Sequence, residues 1–128
     1  MKVLLDTHLL LWAASEPQRI PRAALSLIDS SENELLFSAA SLWEVVVKNS
    51  LGRDDFKVDA RLLRRGLLDN GYIELPITGE HAIMVDGLPS RHKDPFDRIL
   101  VAQAVAEGVM LITTDRKLEG YPGSIRIF

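Results

Sequence analysis

The sequence predicts an α/β sandwich with a mainly parallel sheet, and two observations predict it. Short apolar runs at Val3–Leu5, Leu35–Phe37 and Met110–Thr113 read as strands, and stretches with helical apolar spacing lie between them, the alternation from which parallel sheets are built. A third observation concerns chemistry. Asp6, Glu44, Asp97 and Asp115 each stand beside a short apolar run. If the runs are parallel strands, their carboxyl ends share one sheet edge, and acids just beyond them converge there despite their separation in the chain.

The elements follow in order. Val3–Leu5 is a buried strand, and Thr7–Ala14 a short helix that stops before Glu16-Pro17, because proline pushes the residue before it out of the helical region. A second helix begins at Pro21, whose fixed φ suits a first turn, with Ala24, Leu25, Leu27 and Ile28 as its apolar face. After the Leu35–Phe37 strand, Ala39–Asn49 carries Leu42, Val45 and Val46 at helical spacing and ends near Gly52, a C-cap residue. Asp59–Leu68 is helical. Asn70-Gly71 turns the chain into Tyr72–Leu75, whose alternation predicts a half-exposed strand before Pro76. Thr78–Leu88 reads as helix. The clearest helix runs from Asp94-Pro95 to Gly108, with N-cap, N1 proline and C-terminal glycine all in place. Met110–Thr113 is a buried strand, and Ile125–Ile127 a terminal edge strand after turns at Gly120 and Pro122-Gly123.

At 128 residues the chain fits one domain, and a domain of this size buries roughly 65–70% of its unfolded surface. The absence of cysteine excludes a disulfide framework, a thiolate zinc site and a cysteine nucleophile, and fits a reducing cytoplasm. A net charge of −3 leaves no broad basic footprint, so any contact with nucleic acid has to come from local basic patches. Asp6 and His8 interrupt an N-terminal apolar stretch that otherwise resembles a secretory signal. No apolar run approaches the ~20 residues that span a bilayer, so a soluble, cytoplasmic protein with no membrane partner is expected.

Capping accounts for any one of the four acids taken alone. Asp6 can cap the helix at Thr7, Ser41-Leu42-Trp43-Glu44 matches a capping box unless Ser38 is the true cap, Asp94 can cap its helix with Asp97 at N3, and Asp115 can sit in a turn. The set is harder to explain so, because Ser, Thr and Asn cap equally well without charge. Two carboxylates ~4 Å apart repel by on the order of 4 kcal/mol at an effective dielectric of 20, and a divalent cation turns that penalty into binding. An all-oxygen ligand set favours Mg²⁺ or Mn²⁺ over zinc. Thr7, Thr113 and Thr114 stand beside the acids and can orient a carboxylate or hold a metal-bound water, although threonine is also a common strand residue.

Asp6-Thr7, then Ser41-Leu42-Trp43-Glu44, then His92-Lys93-Asp94-Pro95-Phe96-Asp97-Arg98 with Ile99–Ala104, then Leu111–Arg116, in this order and spacing, resemble the PIN-domain ribonucleases over the whole chain. Within them the likeness is to the bacterial VapC-type toxins of toxin–antitoxin pairs. The resemblance implies a single PIN-like domain over residues 1–128, folded as a three-layer α/β/α sandwich. It implies that Asp6, Glu44, Asp97 and Asp115 ligate Mg²⁺ or Mn²⁺, with Asp6 central, and that the metal activates water to attack an RNA phosphodiester. A cognate antitoxin and a homodimer are implied partners. Asp94 and Asp97 are three apart and can share a helix face, so both are candidates for the third ligand. Alignment with the family's acid-plus-apolar helix favours Asp97, leaving Asp94 as cap or support.

Arg91, His92, Lys93, Arg98, Arg116 and Lys117 cluster around the third and fourth acids. Arg98 and Arg116 are the candidates for RNA phosphate contacts, with neutralisation of nearby carboxylates as the plain alternative. Arg61, Arg64 and Arg65 read as a solvated helix face, the three histidines as structural hydrogen-bonders, and Trp12 and Trp43 as core or interface residues. Two other enzyme classes fit poorly. A phosphotransfer receiver would need a strand ahead of Asp54-Asp55, and a haloacid-dehalogenase-like phosphatase would need an acid where His8 stands. The non-enzyme alternative is a catalytically silent protein-binding module.

Overall fold

Strands β1 (Lys2–Leu5), β2 (Glu34–Ser38), β3 (Ile73–Leu75), β4 (Met110–Thr113) and β5 (Ile125–Ile127) pair in the order β3-β2-β1-β4-β5, every pair parallel. The computed structural model describes residues 1–52, 56–90 and 93–128; Asp54-Asp55, Arg91 and His92 lie outside the described residues. Among the described residues six α-helices accompany the strands: α1 (Thr7–Ser15), α2 (Arg22–Asp29), α3 (Ala39–Ser50), α4 (Ala60–Asp69), α5 (Gly79–Met84) and α6 (Pro95–Glu107). None of the described helices is long and apolar enough to cross a membrane.

The alternation along β1 divides the core into two. Val3 and Leu5 pack with Leu9, Ala24, Phe37, Val45, Leu63 and Leu67 on one face of the sheet. Leu4 points the other way and packs with Leu36, Leu100, Val101, Ala104 and Leu111. A strand buried on both faces carries apolar side chains at every position, which is why β1 reads as a continuous run rather than an alternating one. The result is the three-layer α/β/α sandwich that the sequence implies.

Most expected elements stand within a residue or two of their expected bounds. The helix expected over Thr78–Leu88 is the exception: α5 ends at Met84, and Val85–Gly87 forms a 3₁₀ turn. Arg98 explains the break. Its Nη2 donates to the Val85 carbonyl at 3.1 Å and its Nη1 to the Pro89 carbonyl at 2.8 Å, so the chain leaves the helix with those acceptors satisfied.

A fully buried polar pair, Ser38 and Gln103, fixes where α3 begins. Ser38 caps α3 by accepting the Ala40 N–H at 2.9 Å, and its hydroxyl donates to Gln103 Oε1 at 2.5 Å. Gln103 Nε2 donates in turn to the Pro76 carbonyl at 3.3 Å. His81 closes a capping box with Thr78, while its Nε2 meets Glu107 Oε2 at 2.9 Å. That is the structural work expected of this histidine. Replacing Gln103 by leucine strands the Ser38 hydroxyl without its acceptor, so Gln103→Leu is expected to cost about 1–3 kcal/mol. In urea unfolding, the double variant with Ser38→Ala should cost less than the sum of the two singles, because the two side chains share one bond.

Candidate active site

Four elements deliver the acids. Asp6 follows β1 directly, and its backbone N–H extends the parallel ladder by bonding the Ile112 carbonyl at 3.1 Å. Its side chain is almost wholly buried and caps α1, with Oδ1 accepting the Leu9 N–H at 2.9 Å. The other oxygen, Oδ2, accepts the Thr113 hydroxyl at 2.5 Å. Thr113 sits at the end of β4 and reaches both ways, since its Oγ1 also accepts the Asp115 N–H at 3.0 Å. Asp115 caps the 3₁₀ turn Arg116–Leu118 through the Lys117 N–H at 2.9 Å. Thr114, between them, is half-buried.

Asp94 is the N-cap of α6, accepting from the Phe96 N–H at 2.9 Å and the Asp97 N–H at 3.4 Å. Asp97 is therefore the third residue of the helix. Glu44 departs from the capping-box reading. Ser38 is the N-cap of α3, which leaves Glu44 well inside the helix, while Ser41 accepts the Thr7 hydroxyl at 2.8 Å and ties the start of α1 to the first turn of α3. Glu44 is buried and meets Lys48 Nζ at 2.8 Å, one helical turn along. The sequence reading passed over both Ser41, as a partner of Thr7, and Lys48. Only Lys48 had a signal, its i,i+4 spacing from an acid.

The acids sense one another. Burial pushes the Asp97 carboxyl up from its ordinary 3.8 to about 7, and Asp94, Glu44, Asp115 and Asp6 each add to the rise. Burial also raises Asp6, against the opposing pull of Thr113, the Leu9 N–H and the charge of His8. The carboxylates stand within electrostatic reach without forming a closed cage: among the described residues, no three His, Cys, Asp or Glu side chains gather as a metal cluster. The fit to a cation rests on donor chemistry. The donors are oxygens carrying charge in excess, and Asp97 is a carboxyl that its neighbours drive towards neutrality, which a hard divalent cation would reverse.

The two arginines differ. Arg98 is committed to the carbonyls of Val85 and Pro89 and to the Tyr121 hydroxyl at 3.2 Å, a structural role that explains its position better than a phosphate contact does. Arg116 lies on the surface and pairs with Glu119 at 3.1 Å. Trp43 is exposed and so not part of the core, His8 is exposed, and Trp12 lies half-buried with the Arg19 guanidinium 4.8 Å from its ring centroid.

Comparison with known proteins bears on the family and the fold. The PIN domain family matches residues 3–123. Ribonuclease VapC22 of Mycobacterium tuberculosis (strain ATCC 25618 / H37Rv) is 32% identical over 120 residues, 93% of this chain and 91% of the relative. Among solved structures, VapBC2 from Rickettsia felis, bound to a DNA fragment from its promoter, superposes with a TM-score of 0.71 at 15% identity, covering 100% of this chain and 99% of that one. VapBC-5 from Mycobacterium tuberculosis gives 0.58 at 21% identity, covering 98% and 96%. At such identities the superpositions speak for the fold. The match along nearly the whole sequence and the identity to VapC22 place this chain in the PIN-domain family, among its VapC-type members.

Proposed function

We propose that this protein is an endoribonuclease toxin that hydrolyses RNA phosphodiester bonds with the help of Mg²⁺ or Mn²⁺ and is restrained by a cognate antitoxin. One observation carries the reading: carboxylates from separate elements gather at the carboxyl edge of a parallel sheet, close enough that Asp97 responds to the charge of Asp6, Glu44, Asp94 and Asp115. The likeness to Ribonuclease VapC22 supports the reaction, and the likeness to VapBC structures supports the partner.

A bound divalent cation supplies a lowered pKa for water and neutralises charge on phosphoryl oxygens. The chain's own residues do the rest. Asp6, held on both oxygens by the Leu9 N–H and the Thr113 hydroxyl, is the pre-set central ligand. Asp97, Glu44 and Asp115 complete the ligand set; Asp94, Thr7, Thr113 and Thr114 support it, with Thr113 linking Asp6 to Asp115. Arg116, on the rim, is available to an RNA phosphate. An open groove of about 790 Å³, lined by Leu11, Ile20, Leu25, Ile28, Leu62 and Leu63 among others, offers the antitoxin a seat. Exposed Trp43 and Val46, three residues apart on α3, offer apolar surface for a homodimer.

Asparagine caps helices as well as aspartate does, and within α6 it matches aspartate in size, so Asp6→Asn and Asp97→Asn should leave the circular dichroism spectrum intact while lowering RNA cleavage by ~100-fold or more. EDTA should abolish wild-type cleavage and added Mg²⁺ or Mn²⁺ restore it. Undiminished cleavage in either variant, or in EDTA, would overturn the reading, and an inert wild type that still binds an antitoxin would favour the silent module.

A second expectation concerns stability. An acid whose folded pKa lies above its unfolded value binds more protons when folded, so stability falls as pH rises from about 4 to about 7 and stays reduced above that. In EDTA at pH 8, Asp97→Asn should therefore melt higher than wild type. After discounting for solvent screening at a half-buried site, the gain is about 1 kcal/mol, or roughly 3–5 °C. Below about pH 4 the two should melt nearly together, because Asp97 is then neutral in the folded and the unfolded chain alike.

A further inference from the structure

Lys48 is the cation that the described residues set against the buried acid of α3, and its position is asymmetric. Glu44's side chain is 6% exposed, Lys48's is 34%, and the ammonium lies 2.8 Å from Glu44 Oε2. The ammonium is thus the more exposed member of the pair. Its four-carbon stem is flexible, and Nζ also lies 5.7 Å from the centroid of the Phe56 ring, a second resting contact within α3's own surroundings. The lysine end of the pair is partly exposed and held on a flexible stem, so the ammonium can reach another partner without moving the helix.

A divalent cation and an ammonium on one carboxylate repel each other, and the repulsion is strong at a site this poorly solvated. Once a cation neutralises Glu44, the ammonium needs another anion. We propose that Lys48 is a phosphate-binding residue of this site, held on Glu44 until a divalent cation binds and then transferred to a phosphate of the RNA. This rests on the ribonuclease reading above. The competing role, a brace that merely orients Glu44, predicts the opposite sign for metal binding, since losing a brace weakens the site whereas losing a rival cation strengthens it.

The test compares wild type, Lys48→Met, Lys48→Gln and Lys48→Arg, each checked for folding by circular dichroism. Mn²⁺ alone is titrated into metal-free protein by calorimetry, and cleavage is measured on an RNA oligonucleotide that wild type cuts. The neutral variants should bind Mn²⁺ roughly three- to tenfold more tightly. They should show a KM raised by roughly tenfold with kcat within about twofold, and a salt dependence of KM shallower by about 0.7 in log–log slope, the loss of one phosphate contact to a single strand. Lys48→Arg should restore the wild-type slope. Weaker or unchanged Mn²⁺ binding in the neutral variants, or an unchanged KM and slope, would overturn the proposal while leaving the ribonuclease reading intact. A wild type that neither binds Mn²⁺ nor cuts RNA would overturn both.

Discussion

With β1 hydrogen-bonded in parallel to β2 on one side and to β4 on the other, the chain has no choice about where its strands end. All of the carboxyl ends lie on one edge, and the segments that leave them, into α1, α3 and the turn after Thr113, start there too. Helix N-termini expose unpaired N–H groups and the positive end of the dipole, so that edge favours acceptors and negative charge before any ligand is considered. The position of the site is therefore a consequence of the sheet. Asp6 shows this most directly, because its own N–H is the last rung of the ladder and its carboxylate is the first cap beyond it.

The same topology dissolves the opposition between caps and ligands. Asp6, Asp94 and Asp115 all cap, as the plain reading of each requires. Capping, however, occupies one side of a carboxylate and leaves lone pairs over. Asp6 gives Oδ1 to a backbone N–H and Oδ2 to a threonine hydroxyl, and each oxygen can accept again. Asp97 and Glu44 lie inside their helices rather than at the N-cap. Asp97 is raised by burial and by the charge of the other acids, and that mutual repulsion is what the proposed cation would relieve.

The layered architecture and the four acids were legible in the sequence because they depend on local and periodic signals. Continuous apolar runs mark doubly covered strands, and Asp94-Pro95 with Gly108 brackets α6 almost residue by residue. What was not legible depended on contacts distant along the chain. The end of α5 at Met84 is set by Arg98, and the start of α3 at Ala39 by Gln103, 65 residues from Ser38. Arg98, adjacent to Asp97 in sequence, resembled a phosphate ligand, yet the helix turns it towards Val85, Pro89 and Tyr121. Adjacent helical positions point about 100° apart, so proximity in sequence to a candidate acid says little about facing it. Lys48, four residues from Glu44, does face it.

These charges also set a balance between stability and function. Burying Asp6 is opposed by desolvation and offset by its two hydrogen bonds, whereas Asp97 is raised by burial and by four neighbouring acids together. The folded state carries this repulsion at neutral pH, and the offset comes from elsewhere: the apolar packing on both sheet faces and the satisfied Ser38–Gln103 network beneath α3. A chain with net charge −3 also repels RNA overall. On the proposed ribonuclease reading, attraction to a phosphate is therefore local, from groups near the acids. A cation among the acids would serve both needs at once, relieving the repulsion that opposes folding and reversing the sign of the field that a phosphate meets.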